Sequence, residues 1–267
     1  MDGNYSIQLA KNTIDDIQTI NLAAGHNYEI TFEAGNVAKG QVLTVNGLLL
    51  DAGNTLNITI DAEKGGFGEF KIVGGQDSVT IVDDGNSHDD LIGGTAGHNN
   101  ITANNKGDII VGEGSNNIIN GGNGNDTITA GTGSDTISVG AGDDRFVYTN
   151  PAWSTSTHFD SISGFNALTD KIEVNKHFAV TGIDAAITHG VLSASDFDKD
   201  IAKALVGHLG ADQAILFTAS SGTYAGETFL IIDQNGNAGY QAGHDLVIDL
   251  GTGSHNLADL SVADFVI

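Results

Sequence analysis

Aspartate and asparagine return in this chain at a fixed interval of nine residues. Asp90, Asn99, Asp108, Asn117, Asp126, Asp135 and Asp144 hold the sixth place of seven consecutive nine-residue copies spanning 85–147, with no residue inserted or lost. Glycines precede them at places one, two and four, most fully in Gly121-Gly122-Asn123-Gly124-Asn125-Asp126. Glycine takes positive φ freely, so each copy can bend sharply beside its acidic residue. Several such carboxylates stacked at a strand spacing of about 4.8 Å would repel unless a cation sat among them. Carboxylate and turn-carbonyl oxygens are hard donors and suit Ca²⁺. The candidate ligands are the side chains of Asp90, Asp108, Asn117, Asp126, Asp135 and Asp144. With them go the loop residues Gly121, Asn123, Gly124, Gly131, Thr132, Gly133, Gly140, Ala141 and Gly142.

The elements that must position these oxygens are short strands. Place eight holds Ile92, Ile101, Ile110, Ile119, Ile128, Ile137 and Phe146. A three-residue x-Ile-x strand points one side chain inward, and stacked copies pile these into an apolar ladder. One copy alone buries almost nothing, so a fixed short period means stacked units that depend on their neighbours.

These residues resemble the RTX family, whose nonapeptide is GGxGxDxUx. Gly121-Gly122-Asn123-Gly124-Asn125-Asp126-Thr127-Ile128-Thr129 matches it at every place, and the next copy misses only its first glycine. The resemblance implies a parallel β-roll in which two nonapeptides make one turn. Asp90, Asp108, Asp126 and Asp144 would then share one edge, and Asn99, Asn117 and Asp135 the other. Several calcium ions are expected, chiefly on the carboxylate edge, between the loops of Asp126 and Asp144 and then of Asp108 and Asp126. The amide edge is expected to hold fewer or weaker ions. Ala103-Asn104-Asn105-Lys106 is a poor turn, and Lys106 sets a cation beside one site.

Composition agrees with a metal-loaded chain. There are 34 acidic and 10 basic residues among 267, a formal charge of −24, which disfavours nucleic acid or an anionic membrane as partner. No cysteine is present, so disulfides cannot staple an exported chain, and metal is the candidate substitute. No apolar run reaches the ~18–20 residues of a membrane span. Met1-Asp2-Gly3-Asn4-Tyr5 lacks the basic and apolar regions of a cleaved signal peptide. The resemblance implies export by type I machinery through an uncleaved C-terminal signal, and Asp264-Phe265-Val266-Ile267 resembles such an ending.

The expected fold class is all-β with one or few helices. It comprises an N-terminal β module over 1–84, the roll over 85–147 and a β-rich cap with the export signal over 148–267. In the first part Tyr28 to Phe32 and Leu56 to Ile60 alternate with period two, Val42 to Val45 and Phe70 to Val73 are further strands, and Asn46-Gly47 and Gly53-Asn54 mark turns. Gly35 to Val45 looks like β modules that precede RTX blocks in bacterial surface proteins. Gly74 to Thr80 reads as a shortened nonapeptide leading into the roll without a linker. Beyond it, Asp160 to Phe165 and Asp170 to Val174 resemble the strand pair that closes RTX rolls. A helix is expected from Ser193 to Leu209, capped by Ser193 with Asp196, with Phe197, Ile201 and Leu205 packed on a sheet. Strands follow at Gln213 to Phe217, Glu227 to Asp233 and Asp245 to Leu250, with a hairpin turn at Asn235-Gly236. Asp233 to Asn237 begins like an EF-hand loop but has His244 where the closing Glu belongs, so a turn is expected.

Catalytic patterns are missing: no His-Glu-x-x-His, no G-x-S-x-G, no cysteine nucleophile and no phosphate loop. His88 and His98 fall in repeat loops and read as solvent-facing or occasional ligands, not catalysts. The expectation is therefore a non-enzymatic, secreted, calcium-dependent structural protein that assembles with itself as an S-layer or extracellular filament subunit at a bacterial surface. A monomeric calcium-binding adhesin or carbohydrate-binding accessory protein, with cell-surface polysaccharide as partner, is the rival. Trp153 with Tyr148 would be its aromatic cluster.

Overall fold

The computed structural model describes residues 3–10, 14, 16–33, 35–38, 41–61, 68–76, 79–83, 91–93 (backbone only), 97–177 and 179–267. Residues 1–131 with 138–144 form one compact unit, and residues 132–137 with 145–267 form a second.

In the first unit successive strands go alternately to two parallel sheets. One sheet runs β1 (Asn4–Leu9), β3 (Asn27–Glu33), β5 (Leu56–Asp61), β7 (Val79–Asp83), β9 (Asn100–Thr102) and β11 (Ile118–Asn120). The other runs β2 (Thr19–Asn21), β4 (Val42–Asn46), β6 (Glu69–Val73), β8 (Leu91–Gly93), β10 (Ile109–Val111) and β12 (Thr127–Thr129). Every repeat strand covers places seven to nine of its copy. Its partner lies 18 residues away, with Ile110 opposite Ile128 and Ile101 opposite Ile119. Ile101, Ile110, Ile119 and Ile128 are all buried, whereas Ile109 and Ile118, one place earlier, are about half exposed. A period of two accounts for that contrast.

The N-terminal strands continue the same two sheets. Ile81 lies opposite Ile101 and β6 pairs in register with β8, so both sheets run on from β6 and β7 into the repeats. These earlier strands are longer, with several inward positions each. Tyr28, Ile30 and Phe32 are buried on β3, and the rings of Phe32 and Phe70 lie 5.2 Å apart in the interior.

In the second unit β14 (Arg145–Tyr148), β16 (Lys171–Val174) and β21 (Phe265–Val266) pair in parallel. β15 (Asp160–Ser163) pairs in parallel with β20 (Leu246–Asp249). From there the sheet turns antiparallel through β19 (Thr228–Ile232) and β18 (Gln213–Thr218), ending at β17 (Gly182–Ile183). Its core is closed by α1 (Phe197–Ala204), whose Phe197 and Ile201, with Leu205 just beyond, pack on Ile215, Phe217, Phe229, Ile231 and Val247.

Two local expectations are corrected. The helix is half the expected length. Ser193 donates its hydroxyl to Asp200 Oδ2 at 2.6 Å instead of capping through Asp196, and Gly207 at φ +73° lies in a turn beyond the last helical residue. Asn235-Gly236 does not make a tight hairpin. β19 and β20 are antiparallel neighbours, but residues 233–245 lie between them, shaped by Asp233 Oδ1 accepting the N–H groups of Asn235 and Gly236. Asn235 Nδ2 donates to Asp245 Oδ1 at 2.6 Å, so this loop is closed by its own amide.

Candidate metal centre

Sixth-place side chains form hydrogen-bonded ladders along the roll. Asp126 Oδ1 accepts the N–H of Asp108 at 2.8 Å, and Asp144 Oδ1 accepts the N–H of Asp126 at 2.9 Å. On the other edge Asn117 Oδ1 accepts the N–H of Asn99 at 2.9 Å, and Asn99 Oδ1 accepts the N–H of Val79 at 3.1 Å. One side-chain oxygen of each residue is thus committed to the turn before it. The residue's second terminal atom decides the chemistry.

Where that residue is asparagine, the second atom is a donor. Asn99 Nδ2 gives a hydrogen bond to Gly112 O at 2.7 Å, and Asn117 Nδ2 gives one to Ala130 O at 2.9 Å, each acceptor 13 residues on. The same offset from Asp126 reaches Val139. A Cβ placed on Gly121 would lie 2.7 Å from Asp126 Oδ2 and 2.9 Å from Val139 O, so both oxygens border that one position. Asp126 Oδ2 is buried and has no hydrogen-bond partner among the described residues. Two acceptors beside one another, one of them orphaned, call for a proton or a cation. Burial, then the charges of Asp144 and Asp108, against the hydrogen bond from the Asp108 N–H, hold the Asp126 carboxyl at about 7.

The loops bring further oxygens close. Gly122, Gly124, Gly131, Gly133, Gly140 and Gly142 all have positive φ. At Gly140 and Gly142 a Cβ would fall 1.6 and 1.7 Å from the carbonyl oxygens of Gly122 and Gly124 one turn away. Only glycine permits that approach, and it stacks the Gly121–Asp126 loop on the 139–144 loop. Asn123 and Ala141 bridge between them. Thr132, between Gly131 and Gly133, lies in the corresponding loop before Asp135. The donor set is therefore main-chain carbonyls with one carboxylate per loop, a composition that fits a hard cation of flexible coordination. Among the described residues no three His, Asp or Glu side chains converge.

The loop before Asp108 is partly tied up by its own side chains. In the 103–108 loop, Asn104 donates its amide to Asp83 Oδ2, its Oδ1 accepts the N–H of Lys106, and its own N–H approaches Asp108 Oδ2 at 3.4 Å. Neither Asn104 nor Lys106 takes positive φ, so this loop lacks the bends of the later copies. Asp90 and His88 lie outside the described residues. His98 is exposed.

One ladder member escaped the sequence reading. Asp160 Oδ1 accepts the N–H of Asp135 at 2.9 Å, the same rung that joins sixth-place residues in the roll. The clue was present: Asp160-Ser161-Ile162-Ser163 has the D-x-U-x ending of a nonapeptide. Its second oxygen is already taken, because Tyr148 donates its hydroxyl there at 2.8 Å. Burial, then the charge of Asp135, pushes the Asp160 carboxyl up, and burial and Asp160 push the Tyr148 phenol up. Tyr148 is only 2 % exposed, so it cannot form an open aromatic cluster with Trp153.

Comparison with known proteins agrees with this geometry. The model for the RTX calcium-binding nonapeptide repeat matches four copies, over residues 93–128 and 120–148. A search of curated proteins found no match.

Proposed function

We propose that this chain, whose residues 93–148 match the RTX calcium-binding nonapeptide repeat, is a secreted structural protein whose roll folds on calcium and which then assembles with itself outside the cell. The observation that carries this reading is the buried, unpartnered Asp126 Oδ2 facing a carbonyl-lined bend. Asp126 and Asp144, with main-chain oxygens of Gly121, Asn123, Gly124, Gly140, Ala141 and Gly142, would hold one ion. Asp135, with Thr132 and Gly133, would hold another. Asp108 is the weaker site, because Asn104 and Lys106 occupy its loop. Asn117 holds its loop by its own amide.

A bound cation supplies positive charge among these oxygens. Without it the ionised carboxylates disfavour the folded roll, and an unfolded chain suits passage through an exporter. Cytosolic free calcium is far below the ~10⁻⁴–10⁻³ M dissociation constants of extracellular calcium modules. At ten times such a constant each independent site adds about 1.4 kcal/mol to folding. Among the described residues no helix is long and apolar enough to cross a membrane.

Support for an S-layer or filament subunit comes from the parallel sheet edge at β1, which among the described residues pairs with β3 alone. The adhesin reading loses its Trp153–Tyr148 cluster to the burial of Tyr148. Electron microscopy of the purified chain in millimolar calcium and in chelator tests the proposal. Ordered assemblies that vanish in chelator are expected, and a monomer under both conditions would overturn it.

A further inference from the structure

Among the described residues β1 is an edge strand that pairs with β3 alone, and five of its six residues are exposed. Tyr5 and Ile7 lie opposite the buried Tyr28 and Ile30, so they continue the interior ladder yet remain 47 % and 36 % exposed. The Tyr5 ring stacks on Tyr28 at 5.5 Å, with the His26 ring edge-on to it at 4.9 Å, so its orientation is fixed while it stays half exposed. Soluble proteins blunt such edges with charge, proline or a bulge. Gly3 to Ala10 contains no charged residue and no proline, in a chain of net charge −24.

Resting on the self-assembly reading above, we infer that β1 is a docking edge for β1 of a second copy, joined antiparallel about a two-fold axis. Three observations select this occupant. Two copies of so acidic a chain repel least where both surfaces are neutral, and β1 is neutral throughout. The sheet-terminal strands β17 and β21 are two residues long and β2 is three, so among the described residues none of these can pair along the full β1 edge. A second β1 matches it in length, and a self-complementary edge closes as an isologous dimer. The pairing must keep Tyr5, Ile7 and Leu9 on the apolar side, which sets an odd-numbered residue opposite an odd-numbered one. A six-residue edge buries less than the ~1,200 Å² of a standard interface. The dimer therefore dissociates on dilution, and further contacts are needed to extend it into a lattice.

The test is sedimentation velocity of the full chain in millimolar calcium over a concentration series, with Ile7→Lys beside the unmodified protein. Ile7→Lys should raise the apparent dissociation constant at least tenfold while leaving the circular dichroism spectrum unchanged. The cysteine-free chain allows a second readout that leaves the core alone. Ser6→Cys, on the outward side of β1, should give a covalent dimer with a short bis-maleimide, whereas Thr252→Cys in the second unit should not. If the unmodified chain associates but Ile7→Lys associates equally, or Ser6→Cys fails to cross-link, the β1 assignment falls and self-assembly stands. A chain that stays monomeric throughout sinks both.

Discussion

Asp126 and Asn117 differ by one atom, and that atom separates a bend that needs a cation from one that does not. Both use one oxygen to accept an N–H from the preceding turn. Asn117 then donates to Ala130 O, while Asp126 presents a second oxygen with no donor. Asp126→Asn should therefore remove one calcium by isothermal titration calorimetry and yet stabilise the roll in chelator. The gain should be about 1–3 kcal/mol, the usual cost of an unsatisfied buried group, read as a higher melting temperature. Asp126→Ala, which loses both roles, should lower stability in either buffer. A proton can also serve as the missing partner. The Asp126 carboxyl is raised to about 7 from 3.8, so the calcium-free folded roll binds more protons than the unfolded chain between those values. Its stability must then fall as pH rises through that window. Chelator-treated protein should melt higher at pH 5 than at pH 8, and calcium binding near pH 6.5 should release protons, measurable from heats in buffers of different ionisation enthalpy.

Glycine and isoleucine placement governs the elements. Gly140→Ala would drive a Cβ to 1.6 Å from Gly122 O at φ +92°, whereas Gly53, at φ +93°, has open space around it. Gly53→Ala should cost only the ~1–2 kcal/mol of a left-handed alanine. Gly140→Ala should cost more and also weaken calcium binding, because two loops must part; urea unfolding with a calcium titration compares them. In the cap, Phe197→Ala should cost about 3–5 kcal/mol, since Phe197 is buried among Phe159, Tyr224 and Phe229. The nine-residue period was enough to place each repeat strand and to find its inward isoleucine, because a strict period leaves one register. The parallel pairing of β1 to β7 was less legible. Alternation in Tyr28 to Phe32 says that one face is buried but not which strand lies beside it, and turn residues such as Asn46-Gly47 serve a solenoid corner as well as a hairpin. The helix end was misjudged for a similar reason: the apolar stripe continues through Leu205 after the backbone has left the helix. Asp160 was overlooked because seven extra residues break the 18-residue step from Asp135.

At the scale of the whole chain, the proposed reading is that acidic, glycine-rich bends make residues 103–147 dependent on ions, while a neutral first strand offers an edge to a second copy. The Asp108 and Asp126 N–H groups, each bonded to the carboxylate one turn on, report most directly on the ion dependence. Hydrogen exchange of peptides within 103–147 at pH 8, in millimolar calcium and in excess chelator, is the measurement that decides. Strong protection is expected with calcium and near-complete exchange within seconds without it. Equal protection in both buffers would show that the roll holds itself together without metal, contrary to the argument from Asp126.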